Sequence, residues 1–159
     1  MVLLVVASLN ALGALDQPIL PAWSALDDPA KLEVRIEPTG GVRAVATLRL
    51  QAPPGIVQAV LTDLYIKHAL LPGERRLLCE SRELSDGGLV TTLVAGDFKQ
   101  YHRTWKLSPD GSGAVTRAEF ELLVEVDTWA PDWLMAMELR RNLETHFRIL
   151  RERVAKRSP

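Results

Sequence analysis

The stretch "PDWLMAMELRRNLETHFRILRERV", residues 131–154, decides the fold, because it has the periodicity of one long amphipathic helix. Pro131 opens this stretch, and proline is favoured in the first helical turn, where its missing N–H is not needed. Charged residues separate a regular apolar series, which consists of Leu139, Leu143, Phe147, Leu150 and Val154. The pattern predicts a helix from about Pro131 to Lys156 with one apolar stripe that must pack on another element.

The sequence before this helix has the alternation of β-strands with one buried face. Residues 32–37 and 42–51 alternate on either side of the turn "PTGG" and predict a hairpin. Four further strands are predicted, at 75–84, 89–95, 99–108 and 114–127. In the last of these, apolar and charged residues alternate, so one face of the sheet is expected in the core and the other in water.

Two helical segments lie between the hairpin and the later strands. Residues 52–64 change to a period of 3.6 with Pro54 in the first turn, and residues 65–71 predict a short second helical turn before "PG". The order is therefore a hairpin, short helices, an antiparallel meander and a long helix. This order predicts an α+β domain in which a curved antiparallel sheet wraps around the C-terminal helix.

Composition excludes several classes of function. A chain of 159 residues is about one domain long, and its net charge of −1 argues against a nucleic-acid-binding protein. The single cysteine, Cys79, cannot form an internal disulfide, and its position beside inward residues predicts a small buried side chain without a nucleophilic role. The three histidines lie on different elements, and nucleotide-binding and serine-hydrolase motifs are missing, so neither a metal nor a cofactor is predicted.

The first thirty residues are interpreted as a leader and a linker. Residues 1–15 are almost wholly apolar, which matches a signal-peptide core and falls short of a membrane-spanning helix. A proline-rich linker from Pro18 to Pro29 follows, and the domain is placed at residues 31–157. This pattern favours an exported, periplasmic protein. An uncleaved anchor, or an ordinary apolar N-terminus of a cytoplasmic protein, are the alternatives.

Three stretches together resemble a known superfamily: "PPGIVQAVLTDLYIKHALLPG", "GDFKQYHRTWKLSPDGSGAVTRAEFEL" and the long helix already quoted. They are similar to the START-like (SRPBCC) helix-grip proteins, which include polyketide cyclases and coenzyme Q-binding proteins, and most of all to exported bacterial members with a single domain. The resemblance covers roughly residues 40–157. Six residues fall by position on the family's motifs: Asp63, Pro72, Tyr101, Trp105, Pro131 and Trp133.

The resemblance implies a helix-grip fold with an elongated apolar cavity between the sheet and the C-terminal helix. The implied function is binding or transport of a lipid, an isoprenoid quinone or a similar elongated hydrophobic ligand. Two features depart from the family. Only "SDGGLVTTLVA" separates "LCESREL" from "GDF", which predicts a shortened sheet, and Arg103 stands where relatives often have a small residue.

The expected ligand-binding residues lie on the strands and helices that would line this cavity. They are Leu61, Phe98, Tyr101, Arg103, Trp105, Phe120, Leu122, Trp133 and Met137. Tyr101, Arg103 and Trp105 share one face of a strand. If that face points inward, the arginine is expected to bind an acidic group of the ligand, because an unpaired buried charge is costly. The alternative is that this face, or the end of the arginine, lies in water.

Two other classes of function remain open from the sequence. The first is an enzyme similar to polyketide cyclases or dehydratases, for which Asp63 and His102 are the candidate acid–base residues. The second is a protein-interaction module without a cavity, which would use the basic face of the last helix around Arg148 and Arg151. The cluster of Trp129, Trp133, Met135 and Met137 is interpreted as core packing, a lid or a rim that contacts a membrane.

Overall fold

One antiparallel sheet and two helices make up the part of the chain that the structure describes. The computed structural model describes residues 5–6, 31–66, 77–85 and 87–158. The helices are α1 (Pro54–Ile66) and α2 (Asp132–Arg157). The strands are β1 (Val5–Val6), β2 (Lys31–Ile36), β3 (Val42–Leu50), β4 (Leu77–Glu83), β5 (Leu89–Gly96), β6 (Phe98–Asp110) and β7 (Val115–Val126).

The sheet is continuous, and its strand order is β1-β4-β5-β6-β7-β3-β2. Strands β4 to β7 form a meander, and the hairpin of β2 and β3 adds to it through β7, from Val42 opposite Val124 to Leu50 opposite Thr116. The short segment before "GDF" contains β5, which joins β4 to β6. All pairings in the sheet are antiparallel, as the sequence predicted.

The two faces of the sheet differ as the alternation predicted. The inward face of β3 carries five buried side chains, Val42, Ala44, Ala46, Leu48 and Leu50. The outward face carries ion pairs, in which Arg43 contacts both Glu37 and Glu121. Because these charged groups remain partly solvated, they add little to the free energy of folding, and the apolar inner face provides most of it.

The long helix α2 packs its apolar stripe on the inner face of the sheet. Its buried residues are those the sequence predicted: Leu139, Leu143, Phe147, Leu150 and Val154. In the middle of the grip, Phe147 meets two aromatic rings of the sheet. Its ring centroid lies 5.2 Å from that of Phe120 and 6.0 Å from that of Trp105, and the last two are 4.8 Å apart. This aromatic cluster fills the space between helix and sheet, and it confirms the predicted α+β helix-grip arrangement.

The C-terminal end of α2 is fixed to α1 and to the segment before it. Arg157 forms an ion pair with Asp63 of α1, and the Ser158 hydroxyl donates a hydrogen bond of 2.7 Å to the carbonyl of Gln51. Nearby, the buried Thr116 hydroxyl donates a hydrogen bond of 2.6 Å to the carbonyl of Ala52. We call this region, where α1, the end of β3 and the end of α2 meet, the closed end of the grip.

Some sequence predictions fall on residues outside the described ranges. Most of the short helical turn predicted at 65–71, together with Pro72, lies there, as does most of the predicted leader and linker. Within the leader, Val5 and Val6 pair with Cys79 and Leu78 of β4. No helix in the described ranges combines the length and the apolar character needed to span a membrane.

Candidate functional site

A pocket of about 390 Å³ lies between the sheet and the first turns of α2, at the end of the grip opposite the closed end. Four pieces of chain line it: residues 40–42 in the β2–β3 hairpin, residues 124–126 of β7, Lys99 of β6, and residues of the segment 128–139. Its volume lies within the range of about 300–1,000 Å³ that is usual for small-molecule sites. We call this region the open end of the grip.

The pocket has an apolar floor and a polar edge. Its buried apolar lining residues are Val42, Val124 and Leu139, and Val126 and Met135 are partly buried beside them. The charged lining residues are more exposed. Among them, the Lys99 ammonium lies 3.4 Å from an oxygen of Glu125, and it also reaches Asp127 just outside the pocket at 3.8 Å. This distribution suits an amphipathic ligand, with apolar atoms against the floor and polar atoms near the entrance.

Two glycines in the hairpin turn shape the edge of the pocket. Gly40 and Gly41 have positive φ angles of 100° and 86°, which other residues rarely adopt. A Cβ atom on Gly41 would lie only 2.7 Å from the carbonyl oxygen of Val124. The turn therefore packs directly against the backbone of β7, and a side chain at position 41 would push the hairpin away.

Seven of the nine predicted ligand-binding residues are buried inside the grip: Leu61, Phe98, Tyr101, Arg103, Trp105, Phe120 and Leu122. None of the seven lines the pocket at the open end. Trp105 and Phe120 belong to the aromatic cluster, so they fill space in the grip. Two others adjoin the pocket through strand pairing, because Tyr101 lies opposite Val124 and Phe98 opposite Val126.

The other two predicted residues face solvent beside the pocket. Trp133 is 61% exposed and Met137 is 58% exposed, while Met135 and Leu139 of the same helix line the pocket. Residues four apart share a face of a helix, so Met135 lies on the same inward face of α2 as the buried Leu139. Trp133 and Met137 form the next face, which turns away from the pocket.

Arg103 points into the grip, so the alternative in which it faces water is wrong. Its side chain is 5% exposed, and its guanidinium donates hydrogen bonds to the Tyr101 hydroxyl at 3.2 Å and to the Thr91 hydroxyl at 3.0 Å. The Thr91 hydroxyl in turn lies 2.9 Å from that of Ser81. A cation and three hydroxyl groups thus form a polar cluster on an inner face that is otherwise mostly apolar.

Cys79 is buried, as the sequence predicted. Burial raises the pKa of its thiol to about 11, against the smaller opposing effect of the Arg103 charge. The thiol therefore stays protonated at neutral pH, and a protonated thiol is a poor nucleophile. This side chain serves packing between β4 and its neighbours.

The two candidate acid–base residues lie away from the pocket. Asp63 is at the closed end in its ion pair with Arg157. His102 is on the outer face of β6, where its Nε2 atom lies 3.2 Å from the Thr104 hydroxyl. Within the described part of the chain, no group of three or more histidine, cysteine, aspartate or glutamate side chains is placed to hold a metal ion.

Sequence reasoning missed the residues that line the pocket. The signal for two of them was present, because Val124 and Val126 share the strand face of Phe120 and Leu122. The glycines of "PTGG" predict a turn, and a turn signal does not show what the turn packs against.

Comparison with solved structures identifies the fold. The order of elements and the grip of sheet on helix match the helix-grip fold of solved structures that include a START superfamily protein, which confirms the fold that the sequence resemblance implied. The chain is similar to TTHA0849 from Thermus thermophilus, with 22% identity, a TM-score of 0.62, and coverage of 74% of this chain and 99% of that one. It is also similar to a START superfamily protein from Mycobacterium smegmatis, with 17% identity, a TM-score of 0.60, and coverage of 72% and 97%.

A third similar structure is CalU16 from Micromonospora echinospora, with 17% identity, a TM-score of 0.55, and coverage of 86% of this chain and 79% of that one. No protein-family model matches the sequence, and no curated protein matches it either. At these identities, the likeness establishes the fold of the chain.

Proposed function

We propose that this protein binds or transports an elongated hydrophobic molecule, such as a lipid or an isoprenoid quinone, between its sheet and α2. The observation that carries this proposal is the pocket of about 390 Å³ at the open end, with its floor of Val42, Val124 and Leu139. An apolar ligand is favoured there because burial against these side chains contributes roughly 25 cal/mol for each Å² removed from water.

The shape of the site favours a ligand longer than the pocket. The buried floor would hold one end, and the pocket opens at the first turns of α2, where the partly exposed Thr128, Ala130 and Glu138 line its rim. An elongated molecule can therefore extend from the floor to the rim. The proposed activity is binding without chemical change, since Asp63 and His102 are outside the pocket.

The polar cluster around Arg103 supports a finer proposal about the ligand. Tyr101 lies opposite the pocket residue Val124 in the sheet, and it accepts a hydrogen bond from Arg103. The buried positive charge therefore lies on the strand next to the pocket floor, two residues from the partner of Val124. Charge-assisted hydrogen bonds are stronger than neutral ones, so a ligand with an acidic group is favoured over its neutral analogue.

The test of ligand binding fills the pocket with a larger side chain. Ala130 lines the pocket, and Ala155 lies exposed near the other end of α2, so Ala130→Trp and Ala155→Trp form a matched pair. We expect Ala130→Trp to weaken binding of a dansyl-labelled fatty acid and of an isoprenoid quinone by about tenfold or more, equivalent to 1.4 kcal/mol. Equal affinities for the two variants, with both folded by circular dichroism, would contradict the proposal.

The natural ligand is to be identified from protein purified gently from its own host. Native mass spectrometry would detect a bound molecule, and denaturing extraction would release it for identification. A stoichiometric lipid or quinone is the expected result. A protein that is empty and also fails to take up the fluorescent fatty acid would favour the protein-interaction module.

The acidic-ligand proposal is tested at Arg103. Arg103→Met removes the charge from a buried site and keeps a side chain of similar length, whereas Arg103→Lys keeps the charge. We expect Arg103→Met to bind a fatty acid and the matching fatty alcohol equally, and the wild type and Arg103→Lys to prefer the acid. A preference for the acid that persists in Arg103→Met would contradict this assignment.

Export is also part of the proposal, supported by the apolar residues 1–15. Mass measurement of the N-terminal peptide of protein from its host tests it, and cleavage after the "ALGA" region is the expected result. An intact N-terminus would keep the pairing of Val5 and Val6 with β4 and would contradict cleavage.

A further inference from the structure

The segment that enters α2 exposes large apolar side chains that the pocket does not use. Trp129 is 95% exposed, and Trp133, Leu134 and Met137 are exposed beside it in sequence. Elsewhere in the described part of the chain, exposed large apolar residues occur singly, at Ile36 of β2, Val45 of β3 and Val94 of β5. A local concentration that includes two tryptophans marks an interaction surface rather than ordinary exposure.

Arginines continue the same side of the helix beyond these apolar residues. Positions 133, 137, 141 and 148 are separated by four, four and seven residues, so Trp133, Met137, Arg141 and Arg148 lie along one face. Arg140 flanks them. None of these three arginines forms an ion pair with any residue in the described ranges. Within the described ranges, these three charges therefore have no partner of opposite sign.

Acidic residues near this surface do not cancel the arginines. Glu144 lies on the same side of the helix, between Arg141 and Arg148. Asp127 and Asp132 flank the tryptophans, and Asp127 lies 3.8 Å from the Lys99 ammonium. The loop is thus apolar and weakly acidic, and the positive charge lies along α2. Glu152, four residues after Arg148, also lies on this side, so three arginines stand against two glutamates, and the helix face keeps a net positive charge although the whole chain has a net charge of −1.

We propose that this surface, defined by Trp129, Trp133, Met137, Arg141 and Arg148 and called the docking face, binds anionic lipid membranes. The tryptophans and the methionine would enter the interface between headgroups and acyl chains, where tryptophan is favoured. The arginines would contact lipid phosphates, which guanidinium groups bind well. The apolar residues precede the arginines along the helix. This order matches a bilayer, in which the apolar interior lies below a charged headgroup layer.

The docking face and the pocket share the segment 128–139. Met135 and Leu139 line the pocket, and Trp133 and Met137 turn outward from the same helical turns. A membrane bound at the docking face would therefore lie beside the pocket entrance. This link to the pocket rests on the proposed function, whereas membrane binding itself needs no ligand and can be measured separately.

Vesicle sedimentation tests the proposal with the full-length chain. The probes are phosphatidylcholine vesicles with and without phosphatidylglycerol. The wild type is expected to bind only the anionic vesicles, and less at high salt. Arg141→Glu with Arg148→Glu is expected to weaken binding about 30-fold or more, since each basic residue near such a surface contributes about 1 kcal/mol. Trp133→Ser with Met137→Ser is expected to weaken it about tenfold or more through the apolar area lost.

Matched controls distinguish the docking face from general effects of charge and polarity. Lys106→Glu with Arg153→Glu changes the net charge equally at exposed positions outside the docking face, and Val94→Ser removes an exposed apolar side chain from β5. Both are expected to bind vesicles like the wild type. Losses as large as those of the docking-face variants would overturn the proposal, as would a wild type that does not bind anionic vesicles.

Tryptophan quenching locates the contact. Brominated lipids are expected to quench Trp129 and Trp133, and the quenching should vanish in Trp129→Phe with Trp133→Phe. Ligand uptake from solution by the docking-face variants should remain, so failure here is distinguishable from failure of the proposed function. Sedimentation velocity tests the alternative that a second copy of the chain binds the docking face. A wild type that forms a dimer and does not bind vesicles, together with a monomeric Trp133→Ser with Met137→Ser variant, would assign the face to self-association and overturn the proposal.

Discussion

The two ends of α2 lie on the same sheet and differ in how they are packed. From the middle of the grip to the closed end, Phe147, Leu150 and Val154 are buried, and Arg157 is paired with Asp63. At the open end, a pocket of about 390 Å³ separates Met135 and Leu139 from parts of the sheet, and large apolar side chains face water. One helix therefore serves as a core element over half of its length and as the wall of a pocket over the other half.

This difference shows how the sheet and α2 can form a stable fold although side chains do not fill all of the space between them. Tight packing at the closed end fixes the position of α2, so the open end keeps its shape without side chains across it. Because interiors at native density lose stability with each missing methylene, a gap of this size is tolerated only where the remaining core is well packed. The predictions below test that division, from the largest expected effect to the smallest.

Truncation of the aromatic cluster should have the largest effect on stability. Phe147→Ala removes the ring that meets Trp105 and Phe120, and it should lower the free energy of unfolding by about 3–5 kcal/mol. Trp133→Ala at the open end is the matched control and should change it by no more than about 0.5 kcal/mol. Urea denaturation measures both values, and similar losses at the two positions would remove the distinction between the ends.

Labelling of Cys79 tests whether the interior beyond the pocket is open to solvent. With its thiol pKa raised from 9.0 to about 11, the thiolate at pH 8 is roughly 100-fold rarer than for an ordinary cysteine, and iodoacetamide should react at least that much more slowly. Rapid labelling of the folded protein would mean that the open end extends to β4.

The same thiol gives a pH dependence whose sign follows from the raised pKa. Between pH 9 and 11 the unfolded chain releases this proton before the folded protein does, so the contribution of Cys79 to stability falls as the pH rises. Below pH 9 the contribution is constant. The free energies of unfolding of the wild type and Cys79→Ala, compared across this interval, isolate this contribution. If the wild type gained stability relative to Cys79→Ala as the pH rises, the thiolate would not be buried.

A buried hydrogen bond at the closed end should have a moderate effect. Thr116→Val keeps the shape of the side chain and removes the donor to the Ala52 carbonyl, which should cost about 1–2 kcal/mol of the free energy of unfolding. Thr47→Val on the outer side of β3 is the control and should be close to neutral. Equal values for the two variants would show that the bond to Ala52 does not fix the closed end.

The ion pair between α1 and α2 should have the smallest effect. Both side chains are partly exposed, so Asp63→Asn should lower the free energy of unfolding by at most about 1 kcal/mol, and less at high salt. A double-mutant cycle with Arg157→Gln measures the coupling. A coupling energy well above about 1 kcal/mol would show that this ion pair, rather than apolar packing, is the main contact that holds α2 at the closed end.

Most of the fold could be predicted from the sequence, because periodicity is a local property. The stripe of α2 and the alternation in β3 and β7 assigned each residue to a face without knowledge of distant contacts. Cys79 was placed inside by the same reasoning. These assignments need only the spacing of residues along the chain.

The position of the pocket could not be predicted in this way, because a gap depends on the volumes of side chains that meet from different elements. Trp105 and Phe120 were expected to line a cavity, but they reach Phe147 and fill it. Trp133 and Met137 were grouped with Met135, although no helix face can hold positions 133, 135 and 137 together. For Arg103, strand parity alone did not show which face was inward.

Gly41 limits how the pocket can be changed by substitution. Its Cβ would collide with the carbonyl oxygen of Val124, so the hairpin side of the pocket has no room for a new side chain at that position. A change in the size of the pocket must therefore come from the facing wall, at Met135 and its neighbours on α2. One wall acts as a constant template and the other as the adjustable part, so a library aimed at new ligands should diversify the helix and leave the glycine turn intact.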